Sequence, residues 1–221
     1  MNFEHFDTYV MCSLQYWYSQ VVELRSEADI DISLRARWAV MSALKAVASG
    51  MPGAPDAHLL SAWTEQKLPS DLEDPSLWRD ANFAFSRGLD LMRLILNEGG
   101  RFAEPTSLVG GVTVQMPWGF VIKGPYSTEF AMMRFARRRV SDISTVLKPM
   151  VPGLDLPGTK KLTLNHVLSD KVDDVPGGKR LEATKSFKAA VRMLAGDNRP
   201  TKGRHCGRCA YMTICPSAPS L

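Results

Sequence analysis

The sequence predicts a single α/β domain, and three observations lead to that fold class. Helical apolar spacing dominates the first half of the chain, strand-like alternation follows it, and a last helical segment precedes a tail rich in cysteine. The 221 residues are 45% apolar and 23% charged, enough for one substantial core. We expect one domain over residues 1–221, with a mainly helical part at 1–105, a sheet core at 106–170, and a helix plus the cysteine tail at 177–221.

The helices are predicted from apolar spacing and from end signals. Residues 33–48 form an amphipathic helix, and its expected core face is Leu34, Trp38 and Met41. The segment "GMPGAP" is a loop. Asp74 and Pro75 begin a long helix that Gly99 and Gly100 end. The segment "KRLEATKSFKAAVRMLAG" is the last helix, and its expected core face is Phe187, Val191 and Leu194.

Alternating apolar residues predict the strands. The segment "GVTVQMPWGFVIKG" predicts two short strands about a turn near Pro117–Gly119. A third strand is expected within "RRRVSDISTVL" and a fourth in "KKLTLNHVL".

Charge and hydropathy indicate the compartment and the class of partner. No apolar run reaches membrane-spanning length and the N-terminus lacks a signal-type leader, so we expect a cytoplasmic protein without a membrane partner. From Gly177 to the C-terminus there are nine Lys and Arg against two Asp and Glu, and from Lys123 to Lys148 six against two. Such local excess attracts anions, nucleic acid above all; the alternative is a solvated basic face.

Three of the four cysteines lie in the tail with the spacing C-x2-C-x5-C. A C-x2-C turn directs two thiolates at one centre, and a third ligand can close a metal or cluster site. Disulfides are a poor alternative in a reducing compartment. The fourth ligand is either Cys12 or a nearby histidine such as His205, and the alternative for Cys12 is a buried core thiol.

The segments "CSLQYWY" and "KGRHCGRCAYMTICP" resemble the two ends of the iron–sulfur branch of the PD-(D/E)XK nuclease superfamily, which includes RecB-like exonucleases, AddB and the nuclease of CRISPR spacer acquisition. Ser13 replaces the usual proline. The resemblance implies a restriction-endonuclease-like central mixed sheet flanked by helices. It also implies that a [4Fe–4S] cluster, or alternatively zinc, joins the two termini through four ligands: Cys12, Cys206, Cys209 and Cys215.

In that family, acids on neighbouring strands bind a divalent metal, and a lysine two residues after the second acid assists the attacking water. One register puts Ser127 at the first acid, Asp142 at the second and Ser144 at the lysine. A serine hydroxyl does not replace a carboxylate as a ligand of a hard cation. The family's G-x-x-x-H and Q-x-x-x-Y helices have no counterpart either. Asp142 is therefore expected to be a remnant, with Glu129 the alternative displaced ligand and Lys148 a displaced cation.

Basic residues predict nucleic-acid binding without base-specific contacts: Arg134, Arg137, Arg138, Arg139, Lys160, Lys161, Arg204 and Arg208. Trp118, Tyr126 and Tyr211 are candidates for stacking on unpaired bases. The expected function is a catalytically inactive, nucleic-acid-binding RecB-like protein, acting with protein partners in a DNA- or RNA-processing assembly. One alternative is an active magnesium- or manganese-dependent DNA exonuclease with displaced ligands. Another is a purely structural phage or assembly component.

Overall fold

A mixed five-stranded β-sheet lies at the centre of the protein, which is described here by a computed structural model. The structure describes residues 1–17, 20, 32–71, 73–135, 146–148, 150–168, 172–176, 184–197, 199, 206, 209 and 215. Helices cover both faces of this sheet, which confirms the predicted α/β class.

The helices before the sheet are α1 (Phe3–Met11), α2 (Ser13–Tyr16), α3 (Ile32–Ala48), α4 (Pro55–Glu65) and α5 (Pro75–Asn97), and α6 (Lys185–Leu194) follows it. Side chains cap three of them: Asn2 Oδ1 accepts from His5 N at 2.8 Å, Asp74 Oδ1 from Leu77 N at 3.0 Å, and Thr184 Oγ1 from Phe187 N at 3.2 Å. Among the described residues, no helix has both the length and the apolar character needed to cross a membrane.

The strands are β1 (Arg101–Ala103), β2 (Thr106–Val109), β3 (Val112–Gln115), β4 (Gly119–Lys123), β5 (Thr128–Arg134), β6 (Thr159–His166) and β7 (Val172–Pro176). The central sheet has the order β1-β4-β5-β6-β7, whereas β2 and β3 form a separate hairpin. Only the β5–β6 pair is parallel within the described sheet. The sheet therefore begins at Arg101 and extends to Pro176, beyond both expected ends of the sheet core.

Two apolar cores form, one on each face of the sheet. The helical core lies between the sheet and helices α3, α4 and α5, and it receives Phe120 and Met133 from the strands. The hairpin core lies on the opposite face, where α1, α6 and the β2–β3 hairpin cover Phe130 and Leu164. Side chains alternate across a strand, so β5 contributes to both cores.

The predicted helices at 33–48 and after Asp74 are confirmed, but the predicted core face of α3 is only partly correct, because Met41 packs against the helical core and Trp38 does not. Trp38 is 41% exposed, and the buried side chains of α3 are mostly small: Ala36, Ala39, Val40, Ala43 and Leu44. The reason is close helix packing. A Cβ added at Gly88 of α5 would lie 2.4 Å from a methyl carbon of Leu44.

The predicted core face of α6 is wrong for the same physical reason. Val191 and Leu194 are 48% and 64% exposed, and the buried residues are Ser186, Ala189 and Ala190. The turn of the β2–β3 hairpin packs so closely that a Cβ added at Gly110 would lie 3.0 Å from Ala190 Cβ.

The strands predicted around Pro117 and in "KKLTLNHVL" are confirmed as β3, β4 and β6. However, β3 and β4 do not pair with each other: β3 pairs with β2, and β4 lies between β1 and β5. Most of the segment in which the third strand is predicted, residues 137–145, lies outside the described residues. Its last two residues, Val146 and Leu147, are helical.

Candidate functional site

Cys12 lies at the junction of α1 and α2. Its backbone is extended, and its N–H donates to Thr8 O at 2.9 Å while its carbonyl accepts from Tyr16 N at 3.1 Å. The residue is 7% exposed. The thiol is therefore largely shielded from water.

The N-terminal helices contact the segment that leads into the cysteine tail. Tyr9 Oη donates to Asp197 O, and Ser13 Oγ donates to Arg199 O. Arg192 Nη2 of α6 donates both to Ser13 Oγ at 3.3 Å and to Arg199 O at 3.2 Å. We call these five residues the terminal clamp. It brings together two segments separated by about 190 positions in the sequence.

The carboxylate of Asp197 organises the terminal clamp. It accepts from Arg192 Nε at 3.0 Å, from Arg199 Nη2 at 2.8 Å, and from Arg199 Nε and N at 3.0 Å each. These donors, led by those of Arg199, hold the pKa of Asp197 well below its usual range. Burial raises the pKa of Tyr9, whose hydroxyl is a donor in the clamp.

The tail cysteines Cys206, Cys209 and Cys215 are half-buried, and all four cysteines of the chain are free of disulfides. Cys209 N donates to Cys206 O at 3.1 Å, which closes a turn of the kind that lets two thiolates share one metal or cluster. Four thiolates are also the donor set of iron–sulfur and structural zinc centres. In the arrangement seen here, however, no group of three or more His, Cys, Asp or Glu among the described residues could hold a metal ion.

The structure describes only some of the residues that the sequence aligns with the nuclease motifs. Ser127 lies in the exposed turn between β4 and β5, where its carbonyl accepts from Gly124 N at 2.9 Å. Because Ser127 precedes the first residue of β5, it does not share a strand face with Glu129. Asp142 and Ser144 lie outside the described residues, and Lys148 is exposed.

Glu129 belongs to a polar network across three strands. Its Oε1 accepts from Thr163 Oγ1 at 2.7 Å, and its Oε2 lies 3.4 Å from Lys161 Nζ. Lys161 Nζ also lies 3.1 Å from Asp174 Oδ1 of β7. The hydrogen bond that Lys161 donates to Asp174, together with the negative charge of Glu129, raises the pKa of Lys161. Both carboxylate oxygens of Glu129 are therefore engaged, and any metal ion there would compete with an ammonium group.

The predicted nucleic-acid ligands that the structure describes do not form one patch. Arg134 lies at the carboxyl end of β5, opposite His166, and is 8% exposed. Lys160 and Lys161 begin β6, opposite the other end of β5. A strand of this length separates the two groups by about 20 Å. The remaining predicted ligands lie outside the described residues: Arg137, Arg138, Arg139, Arg204 and Arg208. His205 and Tyr211 lie outside them too.

The sequence interpretation missed a buried histidine with a half-buried carboxylate partner, opposite Arg134 in the β5–β6 pair. His166 is 4% exposed, and its Nε2 lies 2.6 Å from Asp173 Oδ2. The signal was present in β6, because its alternation puts His166 on the face of Leu162 and Leu164. Such a buried histidine with a carboxylate partner is satisfied structurally.

The comparisons with known proteins leave the family open. No protein-family model and no curated protein matches the chain. Among solved structures, the chain is similar to one titled "Crystal structure of SSO0001", with 10% sequence identity and a TM-score of 0.41 over 98% of this chain and 96% of that one.

Proposed function

We propose that this chain is a catalytically inactive, nucleic-acid-binding protein with a restriction-endonuclease-like fold, whose two ends are joined by an iron–sulfur centre. It acts as a subunit or organising component of a larger assembly that processes DNA or RNA. The mixed sheet flanked by helices is the coarse architecture that this proposal requires.

The terminal clamp is the observation that supports the proposal most. A centre with ligands at both ends of a chain requires those ends to meet. Tyr9 and Ser13 flank Cys12 and bond to residues 197 and 199, while Cys206 begins the ligand run seven positions later. Seven residues of chain reach at most about 25 Å, so Cys206 is tethered within that distance of Arg199.

The proposed ligands are Cys12, Cys206, Cys209 and Cys215. A bound [4Fe–4S] cluster supplies a covalent cross-link between the chain ends rather than catalysis. Two observations support this ligand assignment: Cys12 is buried, and a backbone hydrogen bond closes the Cys206–Cys209 turn. Zinc at the same thiolates is the alternative.

The absence of nuclease activity is inferred from the residues at the expected metal-ligand positions. Ser127 replaces a carboxylate at the first ligand position, and Glu129 is bound by Lys161 and Thr163. A magnesium ion needs carboxylate oxygens free to coordinate it. Binding of nucleic acid is inferred from the excess of basic residues, which neutralise phosphates without reading sequence.

Metal analysis of anaerobically purified protein tests the centre. We expect a brown protein containing iron and sulfide, and loss of both in Cys12→Ser and in Cys206→Ser. Ser13→Ala is the matched control: it removes a clamp hydrogen bond but no thiolate, and it should keep its iron. Full iron content in Cys12→Ser would remove Cys12 from the site, and stoichiometric zinc without iron would identify a zinc centre.

Binding and cleavage assays test the rest. We expect the full chain to bind nucleic acid more weakly as salt rises, and to leave single- and double-stranded DNA uncut with magnesium or manganese. Cleavage abolished by both Asp142→Ala and Glu129→Ala would establish the displaced-ligand exonuclease instead. Absent or salt-insensitive binding would favour a purely structural component.

A further inference from the structure

The turn between β4 and β5 presents an aromatic ring to solvent. Tyr126 is 91% exposed, more than any other large apolar side chain among the described residues. Single exposed aromatics are common at protein surfaces. The surroundings of this one, rather than its exposure alone, indicate a role.

The turn is fixed on both sides. Gly124 N donates to Ser127 O at 2.9 Å, which closes the turn itself. Thr128 N donates to Gly158 O at 3.0 Å, and Thr128 Oγ1 donates to Pro157 O at 3.1 Å, which ties the turn to the start of β6. Pro125 restricts the backbone just before the ring. Because the backbone that carries the ring is already fixed, stacking of a ligand has to order only the side-chain torsions of Tyr126.

Two lysines lie close to the base of this turn, on the two strands that neighbour Thr128 of β5. Lys123 is paired with Thr128, and Thr128 is paired with Thr159, the residue before Lys160. Two strand spacings therefore separate the lysine backbones by about 10 Å. Both are exposed, and neither makes an ion pair with any described residue. The acids nearby, Glu129 and Asp174, are already bound by Lys161. We call Lys123, Tyr126 and Lys160 the Tyr126 tip.

We infer that the Tyr126 tip binds single-stranded nucleic acid, with one unpaired base stacked on Tyr126 and neighbouring phosphates held by Lys123 and Lys160. Every base has a π-face that an exposed aromatic ring can cover, and ammonium groups neutralise the phosphates on either side. A duplex hides those faces inside its stack. This inference rests on the proposed nucleic-acid binding and names its substrate class. It also puts the contact at the end of β5 opposite Arg134.

The test measures affinity for three fluorescent probes at fixed salt: a thymine oligonucleotide, an abasic strand of equal length, and a blunt duplex. We expect the full chain to prefer the thymine strand to the abasic one. Tyr126→Ala should weaken thymine-strand binding about tenfold and leave duplex binding unchanged, whereas Tyr126→Phe should bind as wild type does. For the thymine strand, the logarithm of the binding constant falls linearly with the logarithm of the salt concentration, and Lys160→Gln should make this slope shallower by about 0.7. Lys67 is an exposed lysine after α4, and Lys67→Gln is the matched control, which should leave that slope unchanged.

The outcomes separate this inference from the proposed function. If the wild-type chain binds none of the probes, the proposed function fails and the tip fails with it. If it binds but Tyr126→Ala keeps full affinity for the thymine strand, or loses duplex affinity equally, the tip is overturned and the proposed function stands. Equal affinity for abasic and thymine strands also overturns stacking. Unchanged thermal unfolding of Tyr126→Ala verifies that the exposed substitution leaves the fold intact.

Discussion

Lys161 and Lys160 are adjacent lysines in different electrostatic surroundings. Lys161 is shared by Glu129 and Asp174, whereas Lys160 lies at the register shift of the β5–β6 pair and makes no ion pair with a described residue. We expect Lys161→Met to lower the free energy of unfolding by about 0.5 kcal/mol, because partly exposed ion pairs contribute little. Lys160→Met should change it less. Urea denaturation of both variants measures the difference, and equal effects would show that the network adds no stability.

The same pair predicts a pH dependence. The pKa of Lys161 is raised in the folded protein, so its contribution is complete below the unfolded value of about 10.4 and is lost as pH rises through the higher folded value. The stability difference between wild type and Lys161→Met should therefore be the same at pH 8 and pH 9 and shrink in more alkaline buffer. A difference that grows with pH would contradict the assignment.

The contribution of Asp197 to stability changes with pH in the opposite direction to that of Lys161. The folded pKa of Asp197 is depressed, so the stability that it contributes is present above the unfolded value of about 3.9 and is lost as pH falls towards the folded value. We expect Asp197→Asn to be less stable than wild type at pH 7 and pH 5, and the difference to narrow below pH 4. Urea denaturation at these pH values measures it; a constant difference would mean that the carboxylate's charge is not what stabilises the clamp.

Individual site residues were predictable only where their type and spacing within one short segment indicate a chemical role. The tail cysteines and Glu129 were named because their spacing and type are local. The ion pairs among Glu129, Lys161 and Asp174 were not predictable: Asp174 reaches Lys161 only through the β6–β7 register, and register depends on which side chains the rest of the fold buries. Asp197 was missed for a similar reason, since Tyr9 lies at the other end of the chain.

The contact between α3 and α5 depends on a glycine. The effect of replacing it on the free energy of unfolding should therefore depend on which side chain α3 places opposite it. A Cβ at Gly88 would overlap Leu44, which is fully buried. Overpacking costs about 1–3 kcal/mol, while replacing a helical glycine by alanine gains about 1 kcal/mol. We expect Gly88→Ala to lower the free energy of unfolding by about 1 kcal/mol in the wild-type chain.

In a Leu44→Ala background the same Gly88→Ala substitution should stabilise the protein by about 1 kcal/mol, because the overlap is gone and only the helix propensity remains. A double-mutant cycle in urea measures both signs. Destabilisation of equal size in the two backgrounds would show that Leu44 is not the group that the new methyl meets.

Predictions for the elements succeeded where one face meets solvent. The long helix α5 has an amphipathic pattern with Asp74 and Pro75 at its start, and both signals are local. Strand β5 was missed because Phe130 to Arg134 are buried on both faces, so the alternation that marks a strand is absent. The core faces of α3 and α6 were assigned from their large apolar residues. In the structure, alanine and glycine form most of the buried contacts, because small residues allow the closest packing of helices.

One sheet serves both cores, and this makes the expected single domain testable. Phe130 on one face and Phe120 on the other are fully buried on adjacent strands. If the helical core separated from the sheet, the strands would keep only one covered face. We therefore expect the two cores to unfold together, as one cooperative unit.

Tryptophan fluorescence can follow one core while the other is weakened. Trp63, Trp78 and Trp118 belong to the helical core, Trp38 lies on α3, and Trp17 is close to Cys12 in the sequence. A Trp17→Phe background therefore restricts the fluorescence signal to the helical side. Phe6 is fully buried in the hairpin core, and Phe6→Leu should lower the free energy of unfolding by about 1–2 kcal/mol. Because the sheet is shared, we expect this substitution to shift the fluorescence midpoint and the circular-dichroism midpoint equally. A fluorescence midpoint that stays at the wild-type value would show that the helical layer unfolds by itself, and the chain would then contain two folding units rather than one.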